Sequence, residues 1–217
     1  KFSRIPVDVK PTTPEEDAFR RDLTINALFY DIVNGRVQDF TGQGLSDLQN
    51  RVLRSPGTPY ERFMEDPIRI LRVIRFAAKL GWKIDGETYE AMKAPVLLDM
   101  LTKKVARERI GPEFTAMMQS KYPQYGLKLL EETGILSRLI SDAIIGSEYE
   151  GQLSAFNMNQ NNAHHQLTLF SHTLEVVKHL LSQYPNASPE KRLVLALSAF
   201  GHDMGKMFKD KIGRAHV

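Results

Sequence analysis

The segment 65–81 limits the possible folds more than any other, because its residues repeat with helical spacing. It reads EDPIRILRVIRFAAKLG. Pro67 suits the first turn of a helix, and Asp66 is a residue type that caps free N–H groups. Three arginines recur among the aliphatic residues, at Arg69, Arg72 and Arg75. The spacing predicts a helix over 67–80 that carries a stripe of arginines.

Two functions fit this helix. Asp66 and Arg69 are three residues apart and would lie on one face. A carboxylate beside a guanidinium offers an acceptor next to a fork of donors, which suits the edge of a nucleobase, and the other arginines could bind phosphates. The alternative is a salt bridge between Asp66 and Arg69 on a solvated basic face. The helix alone leaves both open.

The composition predicts a soluble, cytoplasmic protein without a membrane partner. The chain has 217 residues, of which 42% are hydrophobic and 25% charged, so it can hold one or two domains with a real core. It has no cysteine, which excludes disulfides and thiolate zinc sites. A net charge of +3 and a pI near 9.0 allow a nucleic-acid partner. No apolar run reaches the roughly 18 residues that span a membrane.

Strand signals occur only in the first 60 residues. We expect a helix over 14–30, a hairpin of strands 27–33 and 36–40 with the two-residue turn Asn34–Gly35, a helix over 45–50 and a strand over 52–54. Residues 55–60 and 146–162 are predicted as loops. From residue 61 onward the predicted elements are helices alone, over 67–80, 86–93, 104–118, 123–133, 167–181 and 189–199.

A second group of polar residues lies upstream, in RRDLTINAL over residues 20–28. Arg20 and Arg21 could bind triphosphate oxygens. Asp22 could orient an arginine or accept from a ribose hydroxyl, and Asn26 offers a donor and an acceptor near a sugar. Alternatively, the arginines are ordinary cations at a helix C-terminus, with Asp22 paired to one of them.

Three segments together carry a family resemblance. RRDLTINAL, DFTGQGLSDLQNRVLR (39–54) and EDPIRILRVIRFA, in this order, resemble the class II tRNA nucleotidyltransferases, or CCA-adding enzymes, and the related bacterial poly(A) polymerases. The resemblance covers about residues 8–140. It implies an α+β chain that is mostly α: the C-terminal part of a nucleotidyltransferase head over 1–60, with a short hairpin plus helices, and an all-α neck and body over 61–145.

The resemblance also implies an activity and residue roles. The family adds C and A, from CTP and ATP, to the 3′ end of tRNA with Mg²⁺. By this resemblance Arg21 contacts the incoming nucleotide, and Asp22 and Asn26 help to select ribose. Asp66 and Arg69 read the base edge, with Arg72 and Arg75 along the nucleotide site, while Glu65 supports the first helical turn. The proposed nucleotide-binding set is Arg20, Arg21, Asp22, Asn26, Asp66, Arg69, Arg72 and Arg75.

One element of the family pattern is missing. The Gly-Gly element and the Asp-x-Asp pair that binds magnesium do not occur before Arg20. We expect them upstream of residue 1, so this chain alone should not transfer nucleotides. At the other end, residues 212–217, IGRAHV, match a translated sequencing adapter, and we expect this tail not to be biological.

Histidines suggest a further domain over 146–211. HTLEVVKHL followed by GHDMGK resembles the opening of an α-helical, HD-type metal-dependent phosphohydrolase domain. That resemblance implies His172, His202 and Asp203 as ligands of a divalent metal. The family's later aspartate ligand is not identifiable. His164, His165 and His179 are expected near the site or on the surface.

Three other functions stay open. One is a poly(A) polymerase of the same family, and another is an HD-type phosphohydrolase with a helical partner domain. The third is a non-catalytic RNA-binding module. Four body cations could form a phosphate track for tRNA or a solvated face, namely Lys103, Lys104, Arg107 and Arg109. The oligomeric state is not predicted.

Overall fold

A computed structural model describes residues 12–147 and 168–207 of the chain. The predictions for His164, His165, the tail 212–217 and most of the loop 146–162 lie outside these residues. The N-terminal part contains α1 and a 3₁₀ helix, then the strands β1 and β2, then α2 and β3. Their bounds are Pro14–Arg20, Thr24–Asn26, Leu28–Asp31, Arg36–Asp39, Gly44–Asn50 and Val52–Leu53.

The remaining described residues are nearly all helical. They form α3 and α4, the short strand β4, helices α5 to α11 and a final 3₁₀ helix. In chain order these are Pro59–Glu65, Ile68–Leu80, Lys83–Ile84, Gly86–Met92, Pro95–Lys104, Arg107–Met118, Pro123–Glu132, Ile135–Ala143, Leu169–Ser182, Pro189–Gly201 and Met204–Met207. No helix of the described part is long and apolar enough to cross a membrane. The mostly helical α+β class is confirmed.

The hairpin forms with a longer loop than predicted. β1 and β2 are antiparallel, with Leu28 opposite Asp39 and Asp31 opposite Arg36, which leaves the four residues 32–35 in the loop. The Asp31 carboxylate accepts the backbone N–H groups of Val33 and Asn34, each at 3.0 Å. Because this side chain closes the loop, the predicted two-residue turn is wrong.

The predicted helix 14–30 is much shorter in the structure. α1 begins with a capping box, in which Thr13 Oγ1 accepts from Glu16 N and Glu16 Oε2 accepts from Thr13 N, each at 3.2 Å. It ends at Arg20, because Arg21 is extended and Asp22 Oδ1 instead accepts from the N–H of Leu23. Arg20 is therefore the last residue of α1, and Arg21 lies on the extended backbone that follows it.

Three further predictions need correction. β4 pairs parallel with β3, Leu53 opposite Ile84, so strand structure continues beyond residue 61. The predicted loop 55–60 contains the start of α3, which Pro59 begins. The predicted helix 104–118 starts only at Arg107, since Val105 and Ala106 have extended backbones that end α6 before α7 begins.

α4 is the central helix of the body. Its residues Ile70, Val73, Ile74 and Ala77 are fully buried. A Cβ on Gly126 of α8 would lie 3.0 Å from the Ala78 side chain and 2.6 Å from Met117 Sδ, so a larger residue there would have to displace the Met117 side chain. Because buried residues occur along the whole length of α4, its stripe of arginines has a fixed position on the surface of the body.

One arginine attaches the C-terminal helices to this body. Arg192 of α11 donates to the backbone carbonyls that follow α7: its Nη2 lies 2.8 Å from Ser120 O and its Nε 3.3 Å from Gln119 O. Free carbonyls at a helix end are natural acceptors for a guanidinium. The pair α10 and α11 is therefore joined to the C-terminus of α7.

Candidate functional site

A polar cavity of about 490 Å³ lies between the end of α1 and the first turns of α4. Seven of the eight residues predicted to bind nucleotide line it: Arg20, Arg21, Asp22, Asn26, Asp66, Arg69 and Arg72. Two segments that are distant in the sequence therefore meet in one place. Four guanidinium groups against two carboxylates make this cavity suited to a polyanion.

Asp22 is the buried anchor of the cavity, with 5% of its surface exposed. Its Oδ1 accepts the N–H of Leu23 at 2.9 Å and the side-chain amide of Asn26 at 3.0 Å. Its Oδ2 lies 2.9 Å from Arg72 Nη2. The pairing of Asp22 with Arg20 or Arg21, one alternative from the sequence, is replaced by a pairing with α4.

Arg21 is held beside the cavity by its own helix. Its Nε and Nη2 donate to Asp17 Oδ2 at 3.0 and 2.5 Å, and its guanidinium lies 5.7 Å from the ring centre of Phe29. Both groups of the ion pair are well exposed. An exposed i, i+4 pair is weak, so an incoming phosphate can compete for this guanidinium.

Arg69 fastens the two segments together. Its Nη2 donates to the carbonyl of Arg20 at 2.8 Å, and its Nη1 donates to the carbonyl of Arg62 and to Glu65 Oε2, each at 3.1 Å. Arg62 adds a second link, from its Nη1 to Phe19 O at 2.8 Å. The end of α1 is therefore held against the corner between α3 and α4.

Asp66 and Glu65 differ from their predicted placement. Asp66 follows the last residue of α3, and the N-terminus of α4 has no side-chain cap, so the predicted capping role is wrong. Asp66 Oδ2 accepts from Arg109 Nη2 at 2.6 Å. Glu65 is the last residue of α3 and pairs with Arg62 and Arg69. The Asp66–Arg69 salt bridge, which was the alternative from the sequence, is replaced by the pairs Asp66–Arg109 and Glu65–Arg69.

Arg75 is the predicted site residue that does not line the cavity. Its Nε donates to Glu113 Oε2 at 2.5 Å, and its guanidinium lies 4.4 Å from the ring centre of Phe76. It connects α4 to α7. Arg62, Glu65 and Arg109 support the site, although none of them is among the eight residues predicted to bind nucleotide. The i, i+3 and i, i+4 spacing of Arg62, Glu65 and Arg69 was a signal for two of them, whereas Arg109 comes from a distant helix and had no such signal.

The four body cations do not share one environment. Lys103 Nζ lies 3.9 Å from Asp99 Oδ2, whereas Arg107 Nη2 donates to the backbone carbonyl of Asp142 at 3.1 Å. Arg109 binds Asp66 at the cavity. These contacts occupy Arg107 and Arg109 with protein groups, and a phosphate track along all four residues stays a prediction.

A second polar cluster contains His172, His202 and Asp203. One ligand atom from each lies within 4.8 Å of the others. His202 Nε2 is 3.4 Å from His172 Nε2 and 3.3 Å from Asp203 Oδ2. His202 Nδ1 lies 2.6 Å from the carbonyl of Ala199, a contact that orients the ring so that Nε2 faces the cluster. Two imidazoles and a carboxylate are ligands that suit a divalent transition metal.

The fold and the cavity define the class: a small α/β head segment joined to a helical body, with an arginine-rich cavity at the junction. Residues 3–54 match the family model described as "Poly A polymerase head domain". Residues 81–143 match the model described as "Probable RNA and SrmB- binding site of polymerase A". The chain belongs to the family of the CCA-adding tRNA nucleotidyltransferases and poly(A) polymerases.

Individual relatives agree with this family. The chain is 44% identical over 131 residues to the mitochondrial CCA tRNA nucleotidyltransferase of Candida glabrata, which covers 60% of the chain and 24% of the relative. It is 42% identical over 118 residues to poly(A) polymerase I of Escherichia coli, covering 54% of the chain and 24% of the relative. The chain therefore spans about a quarter of the length of these relatives.

A solved structure extends the similarity over most of the chain. A tRNA nucleotidyltransferase complexed with a primer tRNA and an incoming ATP analogue has a TM-score of 0.61 and 28% identity. The match covers 92% of this chain and 54% of that one. It includes residues beyond the two segments that the family models match.

Proposed function

We propose that the chain is the nucleotide-binding and neck part of a tRNA nucleotidyltransferase that adds C and A, from CTP and ATP, to the 3′ end of tRNA. The observation that carries this proposal is the meeting of RRD-x-x-x-N and ED-x-x-R in one arginine-rich cavity. The similarity to CCA tRNA nucleotidyltransferases supports it.

Each part of a nucleotide has a chemical counterpart in the cavity. Arg20 and Arg21 neutralise the triphosphate. Asp22 and Asn26, already joined by a 3.0 Å hydrogen bond, face the sugar. The Asp66 carboxylate accepts from the amino group that cytosine and adenine share, where uracil and guanine carry a carbonyl oxygen. A carboxylate at this position therefore favours CTP and ATP over UTP and GTP.

The cavity residues themselves do not fit Mg²⁺, the metal that we propose for transfer by the whole protein. The two carboxylates, Asp22 and Asp66, lie 2.9 and 2.6 Å from the guanidinium groups of Arg72 and Arg109. Four lining arginines add repulsion toward a divalent cation. We therefore expect this chain by itself to bind nucleotides without transferring them.

Nucleotide binding by the 217-residue chain tests the proposal. We expect ATP and CTP to bind more tightly than GTP and UTP, and Arg21→Ala to weaken ATP and CTP binding about tenfold, the effect of one charge-assisted hydrogen bond. Arg36→Ala, an exposed residue of the hairpin, is the control. Equal affinity for all four nucleotides, or no binding to the folded chain, contradicts the proposal.

The same titration separates the related functions. A poly(A) polymerase, the function of the Escherichia coli relative, requires preference for ATP over CTP. A non-catalytic RNA-binding module would bind tRNA and neither nucleotide. For tRNA itself, we expect binding that weakens steeply with salt, because body cations would release counterions from its phosphates.

We also propose that His172, His202 and Asp203 hold a divalent transition metal in an HD-type segment. The distances of the three ligand atoms and the orientation of His202 support it. Calorimetric titration with Mn²⁺ or Zn²⁺ should show one site that His202→Ala removes and His179→Ala leaves. Retention of the site in His202→Ala contradicts the assignment.

The cytoplasmic location remains a prediction, because a mitochondrial enzyme is among the relatives.

A further inference from the structure

We propose that Arg109 is a positioning residue that orients the Asp66 carboxylate toward the base of a bound nucleotide. This inference rests on the proposed function, because it assumes that Asp66 reads the base edge. Arg109 lies on α7, outside the two sequence segments that form the cavity. It therefore adds a third segment of the chain to nucleotide selection.

The local backbone leaves the Asp66 side chain in need of such a partner. Asp66 lies between α3 and α4 with φ −150° and ψ 96°, so its side chain is not packed along a helix surface. The side chain of Asp66 is 31% exposed. The contact that orients it is the 2.6 Å hydrogen bond from Arg109 Nη2 to Asp66 Oδ2.

Arg109 is presented from a firmly held helix. One turn further along α7, Glu113 Oε2 accepts from Arg75 Nε of α4 at 2.5 Å. Met117 and Met118 at the end of α7 are buried in the core. α7 supplies the cation of one ion pair, Arg109 with Asp66, and the anion of the other, Glu113 with Arg75. A shift of α7 by one turn would therefore bring like charges together. This arrangement gives the Arg109 guanidinium a defined position.

The geometry predicts an effect on selection and not on phosphate binding. Arg109 Nη2 occupies Oδ2 of Asp66, and a carboxylate has a second oxygen that can accept from an amino group of the base. Without Arg109 the carboxylate is free to rotate, and its preference for an amino group over a carbonyl oxygen falls. Arg20 and Arg21 keep their contacts with the triphosphate.

The test is a set of dissociation constants for ATP, GTP, CTP and UTP, measured on the 217-residue chain. We expect Arg109→Gln to reduce the ATP/GTP and CTP/UTP preferences about tenfold, while the affinity for GTP and UTP changes less than twofold. Arg109→Lys should recover most of the preference, because one hydrogen bond to Oδ2 is sufficient. The matched control is Arg138→Gln, which removes another Arg–Asp pair, with Asp99.

A double-mutant cycle separates positioning from general stabilisation. Asp66→Asn should lower the preference by itself, and Arg109→Gln in that background should add no further loss, since both changes act through one carboxylate. Circular dichroism and urea unfolding check that each variant is folded. If Arg109→Gln does not fold, Arg109→Met takes its place in the same cycle.

Two results would overturn the inference while leaving the proposed function intact. One is a folded Arg109→Gln or Arg109→Met variant that keeps the preference of the unmodified chain. The other is an equal loss of affinity for all four nucleotides, which would assign Arg109 to phosphate binding or to folding. If the unmodified chain itself shows no preference, the proposed function fails and the inference fails with it.

Discussion

Arg72 of α4 and Asp22, two residues beyond α1, face each other with Nη2 and Oδ2 2.9 Å apart. The carboxylate side chain is 4% exposed and the guanidinium side chain 42% exposed. The two partners of this ion pair differ in exposure. Removing the Arg72 guanidinium would leave the Asp22 carboxylate charged in a place that water cannot reach. This pair links the RRD segment to the arginine stripe of α4.

Arg72→Met should therefore destabilise the chain. We expect a loss of about 1–3 kcal/mol in the free energy of unfolding, below the value for a fully buried pair because Arg72 is partly solvated. Urea unfolding followed by the fluorescence of Trp82, the single tryptophan, measures it. Asp22→Asn in the Arg72→Met background should recover part of the loss. A variant as stable as the unmodified chain would show that the pair contributes nothing.

Arg69→Ala should weaken both folding and nucleotide selection. Arg69 donates to the carbonyls of Arg20 and Arg62, and the Arg62 carbonyl also accepts from the N–H of Asp66, so the loss of Arg69 removes the donor of the Arg20 carbonyl, at a cost of about 1–3 kcal/mol. Unfolding midpoints and ATP and CTP titrations of the same samples separate the two effects. Lys79→Ala, an exposed residue in the last turn of α4, is the control. If the folded variant keeps its selection among nucleotides, Arg69 has only a structural role.

Gly44→Ala should disturb the packing of α2 against the first 3₁₀ helix and β1. A Cβ at this position would lie 2.7 Å from the carbonyl oxygen of Thr24 and 2.8 Å from Leu28 Cδ2. Backbone cannot move away cheaply, so we expect a loss of about 1–3 kcal/mol in thermal or urea unfolding. Gly86→Ala, where a Cβ meets nothing within 4 Å, is the matched control and should be neutral or slightly stabilising. Equal effects of the two changes would contradict this account.

Asp39 should make stability depend on pH in the acid range. Burial raises the pKa of this carboxyl, but hydrogen bonds from the N–H of Leu45 and from Thr41 outweigh it and hold the pKa below the ordinary 3.8. A lowered pKa in the folded state gives stability that is present above pH 3.8 and lost as the pH falls through the folded value. Asp39→Asn should therefore differ most from the unmodified chain above about pH 5 and progressively less at lower pH. Unfolding curves of both proteins, measured above about pH 5 and at successively lower pH, test this prediction. A stability difference that does not depend on pH would refute it.

Several elements follow from local sequence and were predicted correctly. α4 has a repeat of aliphatic residues and Gly81 at its end, where the backbone is left-handed with φ 69°. α2 and α5 lie within one residue of their predicted bounds. The elements that were missed, α3, α6, α9 and β4, have seven, ten, nine and two residues. The two residues of β4 are too few for an alternation to identify a strand, and its pairing with β3 depends on a contact between distant segments.

The sequence by itself determined which residues could bind a nucleotide, because RRD-x-x-x-N and ED-x-x-R carry the required donors, acceptors and charges. Only the tertiary structure decided their partners. Asp66 binds Arg109 and Asp22 binds Arg72, whereas the sequence suggested neighbours within one helical turn. Helical spacing constrains contacts only between residues three or four positions apart. Pairs between distant segments depend on how α1, α4 and α7 pack, and burial of the aliphatic face of α4 sets that packing.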